Sequence, residues 1–270
     1  MSVNQNTAAV IRRWYTALCF PGEYDRAFEQ ALESIAVSDS VSIDTYDLAC
    51  QDGRQNLLSF LYMCDALEEK YRQLGIPREI LMDTLQDIVR WTQNWSIVKG
   101  ELCLFELEWL ARIMSAKLFK VGRLQFYLAP ARMAVPQYGI QAGENVVELH
   151  IPRGEKLSPE AVDASLIQGK AFVATYFPDY SYEYLTCLSW LLDDKLKELL
   201  PESSNIIQFG NRFEKIEQED SNALLQFLFR WDAYEGNLGQ LVCNTDLQCK
   251  VKKAVLAGEI FHEVLGVIRK

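Results

Sequence analysis

The chain has 270 residues, with 37 acidic against 27 basic side chains and a net charge of −10. That is length enough for a substantial core in one large domain or two ordinary ones, in a globular rather than a disordered protein. The acidic excess argues against nucleic acid as a partner, because binding to phosphate backbones draws most of its affinity from basic surface, so an anionic ligand would need a local basic pocket.

Seven cysteines without a CxxC and two isolated histidines, His150 and His262, give no disulfide framework and no zinc site. The cysteines read as reduced core thiols of a cytoplasmic protein. The opening MSVNQNTAAVIRRWY lacks a signal-peptide core and no apolar run reaches the length of a membrane span, so no membrane is expected as a partner.

From about residue 7 to 118 the apolar residues keep a helical rhythm. Leu57, Leu61, Cys64, Leu67, Tyr71 and Leu74 fall three or four apart and define one buried helix face. Gly75 closes that helix and Pro77 opens the next, whose Leu81, Leu85, Ile88, Trp91 and Trp95 repeat the pattern. A third stripe, Leu102, Phe105, Trp109 and Ile113, completes a helical bundle in which the tryptophans are expected in the core.

The texture changes near residues 115 to 122. Short β-rich runs follow, GRLQFYLA, NVVELHIP, YEYLTCLSWLL and SNIIQFGNRF, each expected as a strand, and the tail IFHEVLGVI as a last one. Between the second and third lies a helix whose Val162, Leu166, Gly169, Val173 and Tyr176 share a face, with Gly169 letting it lie close on a sheet. Further helices are predicted from Ser221 to about Trp231 and from Thr245 to Ala257, the latter ended by Gly258. The reading is an α+β protein, with a helical domain over 1–118 and a mixed-sheet domain over 119–270.

The segment LHIPRGEKLSPEAVDASL runs from an apolar β-branched stretch through a charged loop into a helix start. Arg153 and Lys156 flank Gly154, while Ser158 is an N-cap with Pro159 in the first turn. A helix N-terminus presents unpaired N–H groups and partial positive charge, so a strand, a basic loop and a helix start together suit an anion. Neither GxGxxG nor the Walker pattern is present, and the stretch equally fits an ordinary connection.

Taken in order, LGIPREILMDTLQDIVRW, KLFKVGRLQF, VVELHIPRG, FPDYSYEYLTCLSWLLDD, SNIIQFGNRF and TDLQCKVKKAVLAG resemble a bacterial family of acyltransferases over about residues 40 to 270. Its members join a helical N-terminal domain to a GNAT-like C-terminal domain. The resemblance implies a mixed sheet in which two parallel strands splay apart and admit coenzyme A, with an acyl-CoA as co-substrate and no metal. Pantetheine would pair with the strand VVELHIP, giving Leu149 and Ile151 a binding role. The pyrophosphate would sit at Arg153, Gly154, Glu155, Lys156 and Ser158. The implied activity is transfer of an acyl group to a small-molecule or peptide amine.

The chain departs from that family in three places. The usual pyrophosphate motif of Gln or Arg with spaced glycines is absent, and Glu155 adds a negative charge to the loop. Leu188 stands where the family often has a histidine, and WLARIMSAKLF lacks the histidine often found before GRLQF. A non-catalytic descendant that keeps the fold as a ligand-binding or interaction module is therefore the alternative.

Acyl transfer from a thioester needs the amine deprotonated, the carbonyl polarised and the leaving thiolate protonated. Along VVELHIP a period of two puts Val146, Glu148 and His150 on one face. Glu148 and His150 then point the same way, and either is a candidate proton acceptor; a partly exposed strand face with a stray charge pair would look the same. Tyr184 is the candidate to protonate the thiolate, with Tyr176, Tyr180 and Tyr182 equally available by sequence. Cys187 has no accompanying Cys-His motif and reads as a core thiol. Asp193 or Asp194 serves as a cap at the end of SWLLDD.

Overall fold

The computed structural model of the chain describes residues 5–229 and 238–270. They divide into two units, Met1–Lys120 and Val121–Lys270.

The first unit is helical. Helices α1 (Gln5–Ala17), α2 (Asp25–Ser34), α3 (Gly53–Leu74), α4 (Arg78–Lys99) and α5 (Leu107–Met114) follow one another. Asp52 caps α3 by accepting from the N–H groups of Arg54 and Gln55, and Gly75 ends it in the left-handed region at φ 71°. The predicted stripe of α3 is buried from Leu57 through Tyr71.

The third predicted stripe is only half helical. Leu102 and Phe105 precede α5, whose own buried face is Leu107, Leu110, Ile113 and Met114. The tryptophans also divide. Trp14 is fully buried, whereas Trp91, Trp95 and Trp109 are half-buried. Trp109 sends its indole N–H to the buried Asp87 at 3.0 Å, which satisfies the polar edge of its ring.

The second unit is built on a sheet of six strands, β1 (Leu118–Val121), β2 (Leu124–Pro130), β3 (Asn145–His150), β4 (Tyr184–Ser189), β5 (Glu214–Asp220) and β6 (His262–Arg269). Their order is β1-β2-β3-β4-β6-β5, and the boundary between the units falls inside β1. β3 and β4 are parallel, joined by the crossover helix α6 (Pro159–Tyr176), while the pairs β2–β3, β4–β6 and β5–β6 are antiparallel.

A Cβ on Gly169 would fall 2.0 Å from the Phe126 ring, so the glycine is what lets α6 lie on the sheet. Because Phe126 is in register with Leu149, α6 covers the face of Phe126 and Leu149, leaving Tyr127, Glu148 and His150 on the other. Beyond the sheet, α7 (Leu196–Leu199), α8 (Asn205–Gly210), α9 (Ala223–Phe229) and α10 (Asp246–Leu256) contribute Leu196, Ile207, Leu224, Phe229 and Val251 to a separate apolar cluster.

Two sequence expectations are corrected. SNIIQFGNRF holds the helix α8 instead of a strand, with Ile207 and Phe209 buried; an apolar run this short fits either period. The strand β5 lies just beyond it, in EKIEQED, where all but two side chains are exposed. The helix predicted from Ser221 runs from Ala223 to Phe229, and its expected end at Trp231 lies outside the described residues.

Candidate active site

The parallel ladder between β3 and β4 is short. Val147 registers with Leu185 and Glu148 with Thr186, and no pair follows, although β3 continues to His150 and β4 to Ser189. On its other side β3 stays paired as far as His150, which registers with Gln125. The sheet therefore opens on one side of β3 at the residue that carries Glu148. A strand left unpaired there offers backbone groups to a ligand.

Glu148 is buried at 4% exposure, and its carboxylate is held from two directions. Arg132 donates to Oε1 at 2.7 Å from the loop after β2, and the Nε2 atom of His150 lies 3.2 Å from the same oxygen. The period-two expectation for Glu148 and His150 is thus met by direct contact. Tyr127, opposite Glu148 in register, sets its ring centroid 6.4 Å from that of His150.

Glu148 also lines a pocket of about 80 Å³, together with Arg132, Thr186, Leu188 and the carboxylate-bearing Glu217 and Glu263. Over this face the loop after β2 folds back through Val135 and Ile140, both buried against Val146.

Tyr184 is not brought to this pair. It lies at the start of β4, away from the open end of the ladder, with its ring edge-on to Tyr138 at 5.6 Å. Tyr180 is occupied as well. Its hydroxyl sits 3.0 Å from the Ala129 carbonyl and 2.7 Å from that of Val146, and burial pushes the phenol up to about 12. Cys187 is fully buried, and burial raises its thiol far above the ordinary range, which leaves it inert as a nucleophile.

The predicted phosphate turn follows β3 directly. Arg153, Gly154, Glu155 and Lys156 are exposed, and Gly154 has φ +111°, a conformation that favours glycine. Ser158 caps α6 through Ala161 N–H at 3.3 Å, with Pro159 in the first turn, as its sequence requires. Leu149 is buried with its strand partner on the β2 side, and Ile151 is half-buried just past the strand. The cap expected at Asp193 or Asp194 is not formed: α7 starts after Lys195 without a side-chain cap, and Asp193 accepts instead from Lys195 N–H at 2.9 Å, in the turn before the helix, and from His262 N–H at 2.8 Å on β6.

Arg132 and Tyr127 were not legible as site residues. Arg132 arrives on a loop and Tyr127 by cross-strand register, and neither has a spacing signal relative to Glu148. Among the described residues no cluster of metal-ligating side chains is found, and no helix is long and apolar enough to cross a membrane.

The opening between β3 and β4, the Glu148–His150 pair and the basic turn before α6 thus lie along one strand and the loop that follows it. The profile of the GNAT-like C-terminal domain matches residues 118–268, and that of the N-acyltransferase N-terminal domain matches residues 2–116. The chain belongs to this two-domain N-acyltransferase family.

Solved structures agree on the fold. An acyltransferase in complex with decanoyl-CoA and teicoplanin is 26% identical with a TM-score of 0.71, over 80% of this chain and 66% of that one. The chain thus spans just under two thirds of that protein's length. An acyltransferase in complex with decanoyl-CoA is 25% identical with a TM-score of 0.71, over 97% of this chain and 77% of that one. An acyltransferase mutant with octanoyl-CoA has a TM-score of 0.77 at 21% identity, over 96% and 87% of the two chains. No curated protein matches.

Proposed function

We propose that the chain is a CoA-dependent N-acyltransferase that moves an acyl group from acyl-CoA to an amine. The observation that carries the proposal is the end of the β3–β4 ladder at Glu148 and Thr186, beside the contact between Glu148 and His150. Family membership and the acyl-CoA complexes of its structural relatives support it.

In this reading Leu149 and Ile151 offer backbone to the pantetheine arm, and Arg153, Gly154, Lys156 and the start of α6 hold the pyrophosphate. The Glu148–His150 pair takes the proton that the amine loses as its nitrogen bonds to the thioester carbonyl carbon. Collapse breaks the carbon–sulfur bond, and the thiolate is protonated from a nearby hydroxyl. Tyr127 is better placed than Tyr184 to give that proton: it registers directly with Glu148, whereas Tyr184 shares the face but precedes the last β3–β4 pair by two residues. The acceptor is a small-molecule or peptide amine. Glu217 and Glu263 line the same pocket and suit an acceptor that arrives as an ammonium and gives its first proton to one of these carboxylates before its nitrogen attacks.

One observation favours a second reading, a binding module without catalysis. Leu188, apolar where the resemblance suggests a histidine, lines the same pocket, and Arg132 already neutralises Glu148. Incubation with decanoyl-CoA and a panel of amines, followed by detection of free thiol, separates the two. Thiol release that depends on the amine supports transfer. Tight binding of decanoyl-CoA with no release to any amine supports the module, and Leu188→His is then the variant to assay.

A further inference from the structure

Two sequence motifs meet at Arg123. This residue, in the tight turn between β1 and β2, is only 6% exposed. Its Nε donates to the carbonyl of Lys156 at 3.1 Å and its Nη2 to the carbonyl of Glu155 at 3.0 Å. A buried guanidinium is therefore spent on two successive carbonyls of an otherwise exposed turn.

Peptide planarity gives that contact a consequence. In a trans peptide the C=O of one residue and the N–H of the next point in opposite directions. With the Glu155 and Lys156 carbonyls turned to Arg123, the N–H groups of Lys156 and Leu157 are turned away from it. Those of Gly154, Lys156 and Leu157 donate to no backbone carbonyl among the described residues. Successive free N–H groups on one side of a turn make an anion cradle.

The turn carrying Arg123 is itself fixed. Ser165, fully buried on α6, accepts from Leu124 N–H at 2.9 Å and donates to the Val121 carbonyl. A Cβ on Gly122 would approach Ser165 and Gln168 at 3.1 to 3.3 Å, and its φ is +65°. The brace thus runs from α6 through the β1–β2 turn to the loop that leads back into α6.

We propose that Arg123 is a positioning residue for the pyrophosphate of CoA: by holding the carbonyls of Glu155 and Lys156 it presents the N–H groups of Lys156 and Leu157 to the phosphates. This rests on the reading of residues 153–158 as the pyrophosphate turn. It replaces the missing glycine-spaced motif with a guanidinium acting from behind the backbone.

The test compares decanoyl-CoA with decanoyl-pantetheine, which lacks the pyrophosphate, by calorimetry on the full chain. Arg123→Lys cannot hold both carbonyls in one fork, so its affinity for decanoyl-CoA should fall about tenfold, as for loss of a charge-assisted hydrogen bond. Its affinity for decanoyl-pantetheine should stay within about twofold, on the same reasoning. A fall of equal size for both ligands, or no fall for either, overturns the proposal.

In the wild type, hydrogen exchange of the peptide spanning residues 153–158 gives a readout that needs no variant. Decanoyl-CoA should slow it and decanoyl-pantetheine should not; equal effects overturn the proposal. The double variant Arg153→Glu/Lys156→Glu separates the two levels. If it leaves decanoyl-CoA affinity unchanged, the turn is not the pyrophosphate site and both ideas fall. If it weakens binding while Arg123→Lys does not, only the role of Arg123 falls.

Discussion

Glu148 is the residue to which the proposed function assigns the proton transfer. It is buried, it touches both a guanidinium and an imidazole, and it sits where the ladder ends. Glu148→Gln keeps the shape and removes the base, so amine-dependent thiol release should fall by about 10²–10⁴ while decanoyl-CoA affinity holds. Steady-state kinetics with calorimetry reads both quantities, and full activity in the variant would make Glu148 scaffold. Cys187 provides the opposite case. Treatment with iodoacetamide at neutral pH should label the exposed Cys19 and Cys249 and spare Cys187, without loss of transfer. At this scale the sequence was informative where contact follows from spacing within one strand, as for Glu148 and His150. It was silent on Arg132 and Tyr127, whose approach depends on which strands become neighbours.

The element that sets the geometry is α6, because it carries the chain from one splayed strand to the next and starts at the basic turn. Gly169→Ala would push a methyl group into the Phe126 ring and should cost about 1–3 kcal/mol in chemical denaturation, as overpacked cores do. An unchanged midpoint would mean that α6 can lift without penalty. The first turns of α6 are also tied by Arg212, which donates to Asp163 at 2.8 Å and to the Pro159 carbonyl at 3.3 Å.

That hydrogen bond lowers the Asp163 carboxyl below the ordinary range. A depressed folded-state value stabilises the fold above the unfolded carboxylate pKa of about 3.9 and loses that contribution as pH falls through the folded value. The effect is small, since Asp163 is more than half exposed. An NMR titration should place Asp163 below 3.9 in the wild type and return it toward about 3.9 in Arg212→Ala. The period of α6 and the glycine on its inner face were legible because a long amphipathic helix repeats its signal. The strand β5 was not legible, since an edge strand paired only with β6 needs no alternating apolar face. The short α8 was misread because its Ile-Ile-Gln-Phe run satisfies a strand as well as a helix.

For the whole molecule, the change of period near residue 118 was visible because a helical bundle and a β-sheet impose different spacings on apolar residues. The order of motifs carried the family resemblance, and no single site residue did. An overall charge of −10 makes the basic turn at Arg153 and Lys156 a local exception that an anionic ligand can find. At a hundredfold excess over its dissociation constant, decanoyl-CoA should stabilise the protein by about 2.7 kcal/mol, seen as a raised melting temperature. The gain should shrink in high salt as the phosphate contacts are screened.

The central claim is that acyl-CoA enters between β3 and β4 with its thioester at Glu148. A crystal structure of the chain with decanoyl-CoA tests it most directly. The predicted result places the pantetheine arm along the unpaired edge of β3 past Glu148, the thioester within reach of Glu148 and His150, and the pyrophosphate on residues 153–158. A ligand bound elsewhere, or β3 and β4 closed into a continuous ladder with the ligand outside it, would contradict the claim.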